Sequence, residues 1–225
     1  MSGSGRRVVV FARAPVPGRV KSRLVPALGE AGAAALHVRL VERALDLAIG
    51  AARGPAQVEL WCTPDTRDPF FAAIERDRGV TLRRQEGAGL GERMAAALRG
   101  ALAEVGQAVL IGTDCADCRG GDLEAAFLAL DGDAEAVLGP TLDGGYWLIG
   151  LKRWSNRPFQ GIDWGSDRVR VQTRAALEAL GWHWIELPLR QDVDRPADLA
   201  ALDRHLLAHG SPQTWGAEGS GGGGV

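Results

Sequence analysis

Val109-Leu110-Ile111-Gly112-Thr113-Asp114-Cys115 runs from unbroken apolar residues straight into a carboxylate. A short apolar run closed by glycine reads as a buried strand. An ionised, unpaired Asp has no place inside such a strand, because taking a carboxylate out of water is very costly. At the strand's carboxyl end the same Asp lies where open α/β sheets receive their ligands. Two readings of Asp114 stay open at this point. One is the centre of a cation-dependent phosphate site, and the other is a turn or N-cap residue closing the strand.

Outward from this strand, apolar and helical patterns alternate. Arg6 to Ala12 is a β-branched first strand, Glu30 to Ala52 a long helix with apolar residues at i, i+4, and Gln57 to Cys62 an alternating strand. A turn at Thr63 to Pro69, a helix at Phe70 to Arg78 and a strand at Val80 to Gln85 follow. Then come helices at Glu92 to Glu104 and Asp122 to Leu130 on either side of the Asp114 strand. This β-α-β-α order predicts a three-layer α/β/α domain with a mostly parallel, mixed sheet. Leu138 to Gly150 places two apolar runs around Asp143-Gly144-Gly145, a β-hairpin signal. Trp154 to Asp167 reads as an irregular lid or acceptor loop, Arg168 to Leu180 as a helix and Trp182 to Leu187 as a late strand. A last helix starts near Pro196 and runs to about Leu207, with Asp194 near its N-cap.

The chain of 225 residues suits one domain, expected over residues 7–209 between a flexible start (1–6) and a disordered Gly/Ser tail (210–225). A hydrophobic share of 46% and a charged share of 24% are those of a globular protein. The net charge of −2 gives no electrostatic case for nucleic acid or anionic membrane as partner. No unbroken apolar run approaches membrane-span length, and the short start makes no secretory signal, so a cytoplasmic location is expected. Cys115-Ala116-Asp117-Cys118 has C-x-x-C spacing but lacks a second pair, and the four His are scattered. Both are read as structural or superficial.

Three stretches carry candidate chemistry. Arg13-Ala14-Pro15-Val16-Pro17-Gly18-Arg19-Val20-Lys21-Ser22-Arg23 follows the first strand, and its prolines and glycine forbid regular structure. Such a loop is either an anion cradle or a solvated basic connection. Gln85 to Arg93 carries Gly87, Gly89 and Gly91, either for close ligand approach or as a plain connection. Asp192 and Asp194 lie late in the chain. Asp194 is explained by the helix cap, which leaves Asp192 unexplained unless it joins Asp114. Mg²⁺ asks for a few carboxylates with water and phosphate oxygens completing its shell, so Asp114 with Asp192 or Asp194 would suffice.

Taken in order, Phe11-x-Arg13-x-Pro15-x-Pro17-Gly18-x-Val20-Lys21-Ser22-Arg23-Leu24, Leu90-Gly91-Glu92-Arg93-Met94, Gly112-Thr113-Asp114-Cys115, Gly139-Pro140 with Asp143 to Gly150, and Asp192-Val193-Asp194 with Asp198-Leu199 resemble the motifs of one bacterial family. It is a glycosyltransferase-A-like family of unestablished function (domain of unknown function 2064). It is related to 2-phospholactate guanylyltransferase and the molybdenum cofactor nucleotidyltransferases. The resemblance spans roughly residues 7–207 and implies a nucleotide-diphospho-sugar transferase fold. It implies a nucleotide or nucleotide sugar as donor, a small-molecule acceptor, and Mg²⁺ or Mn²⁺ as cofactor.

By motif position, Lys21 and Asp114 would be catalytic, and Arg13, Pro17, Gly18, Lys21, Arg23, Gly91 and Arg93 would bind the nucleotide. Asp114, Asp192 and Asp194 would hold the metal, and Asp143, Gly144, Gly145 and Tyr146 the acceptor. The chain departs from the family in having Ala116 where Pro is usual, which loosens that loop. It also lacks the Gly-rich, Arg-ending loop of typical nucleotidyltransferases. Nucleotidyl transfer from an NTP to a phosphorylated acceptor and glycosyl transfer both remain, with a catalytically inactive nucleotide-binding module as the alternative.

Overall fold

The computed structural model describes residues 5–202. The tail, the end of the last expected helix, and His205 and His209 lie outside the described residues. A seven-stranded sheet in the order β3-β2-β1-β4-β6-β5-β7 forms the middle layer. Its strands are β1 (Arg6–Arg13), β2 (Val58–Thr63), β3 (Thr81–Arg84), β4 (Gln107–Ile111), β5 (Ala136–Pro140), β6 (Tyr146–Leu151) and β7 (Trp184–Glu186). Strands β1 to β4 are mutually parallel where they pair, β6 is antiparallel to β4 and β5, and β7 is parallel to β5. One strand therefore runs against the rest, because a tight hairpin joins β5 to β6 where a helix would otherwise cross over.

The five helices are α1 (Val25–Ala52), α2 (Pro69–Arg78), α3 (Leu90–Glu104), α4 (Gly120–Asp131) and α5 (Val169–Glu178). Strand alternation sorts the core into two layers. Val8, Val10 and Ala12 of β1 pack with α1, α2 and α4, while Val9 packs on the opposite face with α3 and α5 residues such as Leu98 and Leu177. Gly29, at φ +69°, breaks the first turns of α1 from the helix proper, so the regular stretch starts at Glu30 as its pattern predicts. By length and composition, Ser22–Ala52 is apolar enough to cross a membrane, which a search for unbroken apolar runs misses. Its buried residues, Leu40, Val41, Ala44, Leu45 and Ala48 among them, pack into the sheet's core as a covering helix does.

Two expectations need correction. Pro196–Ala201 is a 3-10 helix rather than the start of an α-helix. Its cap is not Asp194 but Asp198, whose carboxylate accepts from the backbone N–H of Asp194 at 2.9 Å and of Arg195 at 2.7 Å. Relieved of that role, Asp194 is free to face elsewhere.

Candidate active site

The carboxyl ends of β1 and β4 lie side by side, since Val10 pairs with Ile111 and the chain then runs three residues to the candidate residues Arg13 and Asp114. The late segment joins them. Cys115 bridges Asp192 in antiparallel fashion, and the Val193 N–H donates to the Asp114 carbonyl at 2.9 Å. Backbone pairing thus brings Asp114, Asp192 and Asp194 together from positions almost eighty residues apart. Arg190 anchors the same segment. Its guanidinium donates to Asp122 at 2.7 Å, at the start of α4, and its backbone bridges Thr141.

Asp192 is the least settled member. Its Oδ1 is buried with no hydrogen-bond partner among the described residues. Burial, then the charges of Asp114, Asp143 and Asp194, push its pKa up to about 7. The turn carrying Asp143 therefore borders the acidic cluster. Asp143 itself accepts from the Thr141 hydroxyl at 2.6 Å and the Gly145 N–H at 3.1 Å.

Lys21 answers this negative charge. Its Nζ lies 2.6 Å from Asp114 Oδ1, 3.2 Å from Asp194 Oδ1 and 2.7 Å from the Val193 carbonyl, with its side chain only 4% exposed. All three ammonium protons are engaged, so the residue expected to contact phosphate is committed to the chain's own oxygens. Burial alone would depress its pKa, but the two carboxylates outweigh that and raise it. Arg23, largely exposed, reaches to 3.9 Å of Asp194.

The same loop continues into a basic cleft of about 510 Å³ lined by Arg13, Ala14, Val16, Arg19, Thr63, Pro64, Asp65, Arg67, Asp68 and Arg93. Arg93 Nε donates to the Gly87 carbonyl at 3.0 Å, which fixes its guanidinium at the cleft. Of the residues predicted to bind nucleotide, the cleft collects Arg13 and Arg93 but not Pro17 or Gly18. Arg19 of the basic loop also lines the cleft, as do Arg67 and the Thr63–Asp68 segment, which the sequence marks only as a turn. The parallel pairing of β1 and β2 sets the turn after β2 beside the turn after β1, and a sequence alone does not give that pairing.

Several glycine and aromatic positions have protein neighbours where the sequence suggested ligand. A Cβ on Gly91 would stand 2.5 Å from Trp164 Nε1 and 2.7 Å from the Phe159 carbonyl, so this glycine admits the 154–167 loop. Gly144, at φ +89°, would bring a Cβ within 2.2 Å of the Asp167 carbonyl, and its own carbonyl accepts from the Arg170 N–H at 2.9 Å. The hairpin turn is docked on the start of α5 rather than open to an acceptor. Tyr146 turns its hydroxyl inward to Thr173, and burial raises its pKa. Gly145 has Thr141 and Asp143 as its near neighbours. Cys115 and Cys118 are buried, and His37, also buried, holds the Arg13 carbonyl at 2.9 Å through Nε2.

Hard oxygen donors with an orphaned carboxylate oxygen among them suit Mg²⁺ or Mn²⁺. Among the described residues no three His, Cys, Asp or Glu side chains converge to hold a metal by themselves. The arrangement fits a cation whose remaining ligands are water and phosphate.

The chain belongs to the family of uncharacterized proteins conserved in bacteria known as DUF2064, whose model matches residues 47–166. That stretch contains Asp114 and the Asp143 turn, while Lys21 and Asp192 lie outside it. A protein of Desulfovibrio desulfuricans G20 assigned as a nucleotide-diphospho-sugar transferase is 30% identical, with a TM-score of 0.76 over 85% of this chain and 83% of its own. Two more distant structures share the fold alone. One is CMP:2-keto-3-deoxy-manno-octonic acid synthetase in complex with CTP, at 14% identity and TM-score 0.53 over 88% of this chain and 96% of that one. The other is glucosyl-3-phosphoglycerate synthase of Mycobacterium tuberculosis, with Mn²⁺, UDP and glucosyl-3-phosphoglycerate, at 13% identity and TM-score 0.50 over 88% and 75%. No curated protein is significantly similar to the chain. The fold is therefore that of the nucleotide-diphospho-sugar transferases, shared by nucleotidyl- and glycosyltransferases.

Proposed function

We propose that the protein is a divalent-cation-dependent transferase that takes a nucleotide or nucleotide sugar as donor and a small molecule as acceptor. The observation that carries this reading is the junction of two unlike surfaces at one sheet edge. A carboxylate cluster with an unsatisfied oxygen on Asp192 lies after β4, and a cleft lined by Arg13, Arg19, Arg67 and Arg93, with Asp65 and Asp68, opens after the neighbouring β1. A nucleoside di- or triphosphate with its cation is complementary to both. Mn²⁺ and UDP on a protein of the same fold, and CTP on another, support the ligand class.

In this reading Asp114 with Asp192 or Asp194 would hold Mg²⁺ or Mn²⁺, which would supply charge neutralisation at the phosphate that reacts or departs. Arg13 and Arg93 bind and orient phosphate or ribose oxygens, since guanidinium groups grip such oxygens in pairs. In the ligand-free protein Lys21 holds Asp114 and Asp194 in place. Asp143, on the cluster's rim, faces the side from which an acceptor arrives. Positioning and charge neutralisation suffice for either transfer, because the protein has little covalent chemistry to perform.

The test is a thermal-shift screen of the four NTPs and common nucleotide sugars, with and without Mg²⁺ or Mn²⁺, on wild type and Asp114→Ala. A ligand at ~100 times its Kd adds about 2.7 kcal/mol to stability. A cation-dependent shift with one ligand, lost in Asp114→Ala, is expected. Release of pyrophosphate or of nucleoside diphosphate in the presence of acceptors then separates nucleotidyl from glycosyl transfer. Absence of a shift with every ligand would remove the nucleotide reading. Binding with no release under any acceptor would leave an inactive binding module.

A further inference from the structure

Lys21 is unusual in composition, conformation and contacts at once. Lys21 and Lys152 are the only two lysines among 26 basic residues, so the chain almost always meets a need for positive charge with arginine. Lys21 also adopts left-handed backbone angles, φ 48° and ψ 39°, which cost a residue with a Cβ on the order of 1–2 kcal/mol. Strain of this kind persists only where surrounding contacts hold it. Here the ammonium's own grip on Asp114, Asp194 and the Val193 carbonyl does so. The ammonium sits between the carboxylates that the functional reading assigns to a divalent cation.

We propose that Lys21 is an exchangeable counter-cation: in the free protein its ammonium fills the gap between Asp114 and Asp194, and it yields that gap to a divalent cation and passes to the phosphate oxygens arriving with it. This rests on the cation-dependent reading of the site. The charge balance favours the exchange most strongly when phosphate is present. A divalent ion brings one more positive charge to an acidic cluster, while the displaced ammonium needs a new anionic partner to stay buried. Cation and phosphate therefore bind cooperatively. The residue type fits the task, because an ammonium on a flexible stem is a compact point charge that can change partners, whereas a forked guanidinium is committed to one planar geometry.

The chain supplies its own internal standard for the test. Lys152 donates to the Gly132 carbonyl at an exposed position away from the cluster. Amine acetylation by an N-hydroxysuccinimide ester, followed by peptide mass spectrometry on the full chain, compares the two lysines directly. Lys21 should react at least tenfold more slowly than Lys152 in the free protein. Its rate should rise severalfold with saturating Mn²⁺ and fall again when inorganic triphosphate is added with Mn²⁺. In parallel, Lys21→Met should bind Mn²⁺ alone at least tenfold more tightly than wild type, read from the paramagnetic resonance of free Mn²⁺. If Mn²⁺ binds wild type while Lys21 stays as protected as before, the exchange is wrong and the cation site stands. If Mn²⁺ binds neither protein, with or without triphosphate, the cation-dependent reading falls and the exchange with it. The labelling arm needs no variant, so a poorly folding Lys21→Met leaves the proposal open to refutation.

Discussion

Two acids in this molecule, buried Glu59 and half-buried Asp192, have opposite surroundings. Glu59, on β2, is 4% exposed and fully partnered. It accepts from Arg7 at 2.9 Å and from the Trp61 indole at 2.8 Å, with Arg83 at 3.8 Å. Asp192 has an orphaned oxygen and three acidic neighbours, whose charge Lys21 offsets only in part. Satisfied buried charges fix a fold, and their partners are all supplied by the chain. A carboxylate oxygen whose partner the chain does not supply is, in the function proposed here, the place for a cation. The contrast separates the amino-terminal half of the sheet, where ion pairs close on themselves, from its carboxyl edge, where charge is left over.

The contrast breaks most visibly on the Glu59 side. Glu59→Leu strands the Arg7 guanidinium, and losing one partner of a buried pair costs about 3–5 kcal/mol. Urea unfolding should show that loss, while the cation-dependent ligand shift of the folded fraction stays intact. A change in ligand affinity comparable to that of Asp114→Ala would mean that Glu59 is not merely architectural. Next in size is Gly144→Ala. The added Cβ meets the Asp167 carbonyl at 2.2 Å on a backbone at φ +89°, so roughly 1–3 kcal/mol of stability should be lost. Thermal unfolding without ligand measures this. Unchanged stability with weakened acceptor binding would return the turn to the ligand-facing role its sequence suggested.

The packing around Gly144 shows where sequence reading reached its limit. Period-2 and i, i+4 patterns located the strands and the helices of 6–187, because each element must bury one face and the pattern records which. Asp114 was legible for the same reason, as a carboxylate closing an apolar run. The glycines were not. Gly91 and Gly144 mark close approaches, but a sequence does not say whether the approaching group is a ligand or the 159–167 segment. Asp194 was misread by one turn, since an acid before Pro196 looks like a cap until the competing carboxylate of Asp198 is placed. The Arg67 side of the cleft was invisible because the β1–β2 neighbour relation is a property of the sheet. The resemblance to a family supplied Lys21 as a phosphate ligand, and the ammonium's three contacts give it a prior engagement that motif position could not show.

The smallest expected effect is the one that probes Asp192 most directly. An unfolded Asp titrates near 3.8, whereas Asp192 in the fold is pushed up to about 7, by burial first and by neighbouring acids second. Between those values the native state holds a proton that the unfolded chain has released. Its contribution to stability therefore falls as pH rises from about 4 to about 7, and is fully unfavourable above that window. Water at the cleft mouth trims the effect to the order of 1–2 kcal/mol. Asp192→Asn keeps the shape and removes the titration, so the variant should match wild type near pH 4 and exceed it at pH 8. Mn²⁺ with triphosphate favours the charged carboxylate, so it should flatten the wild-type slope through the same window while leaving the variant unmoved. Chemical denaturation at a series of pH values, with and without those probes, reads both effects. A variant that loses stability at pH 8 would show that the Asp192 charge is already satisfied within the chain, and the distinction from Glu59 would disappear.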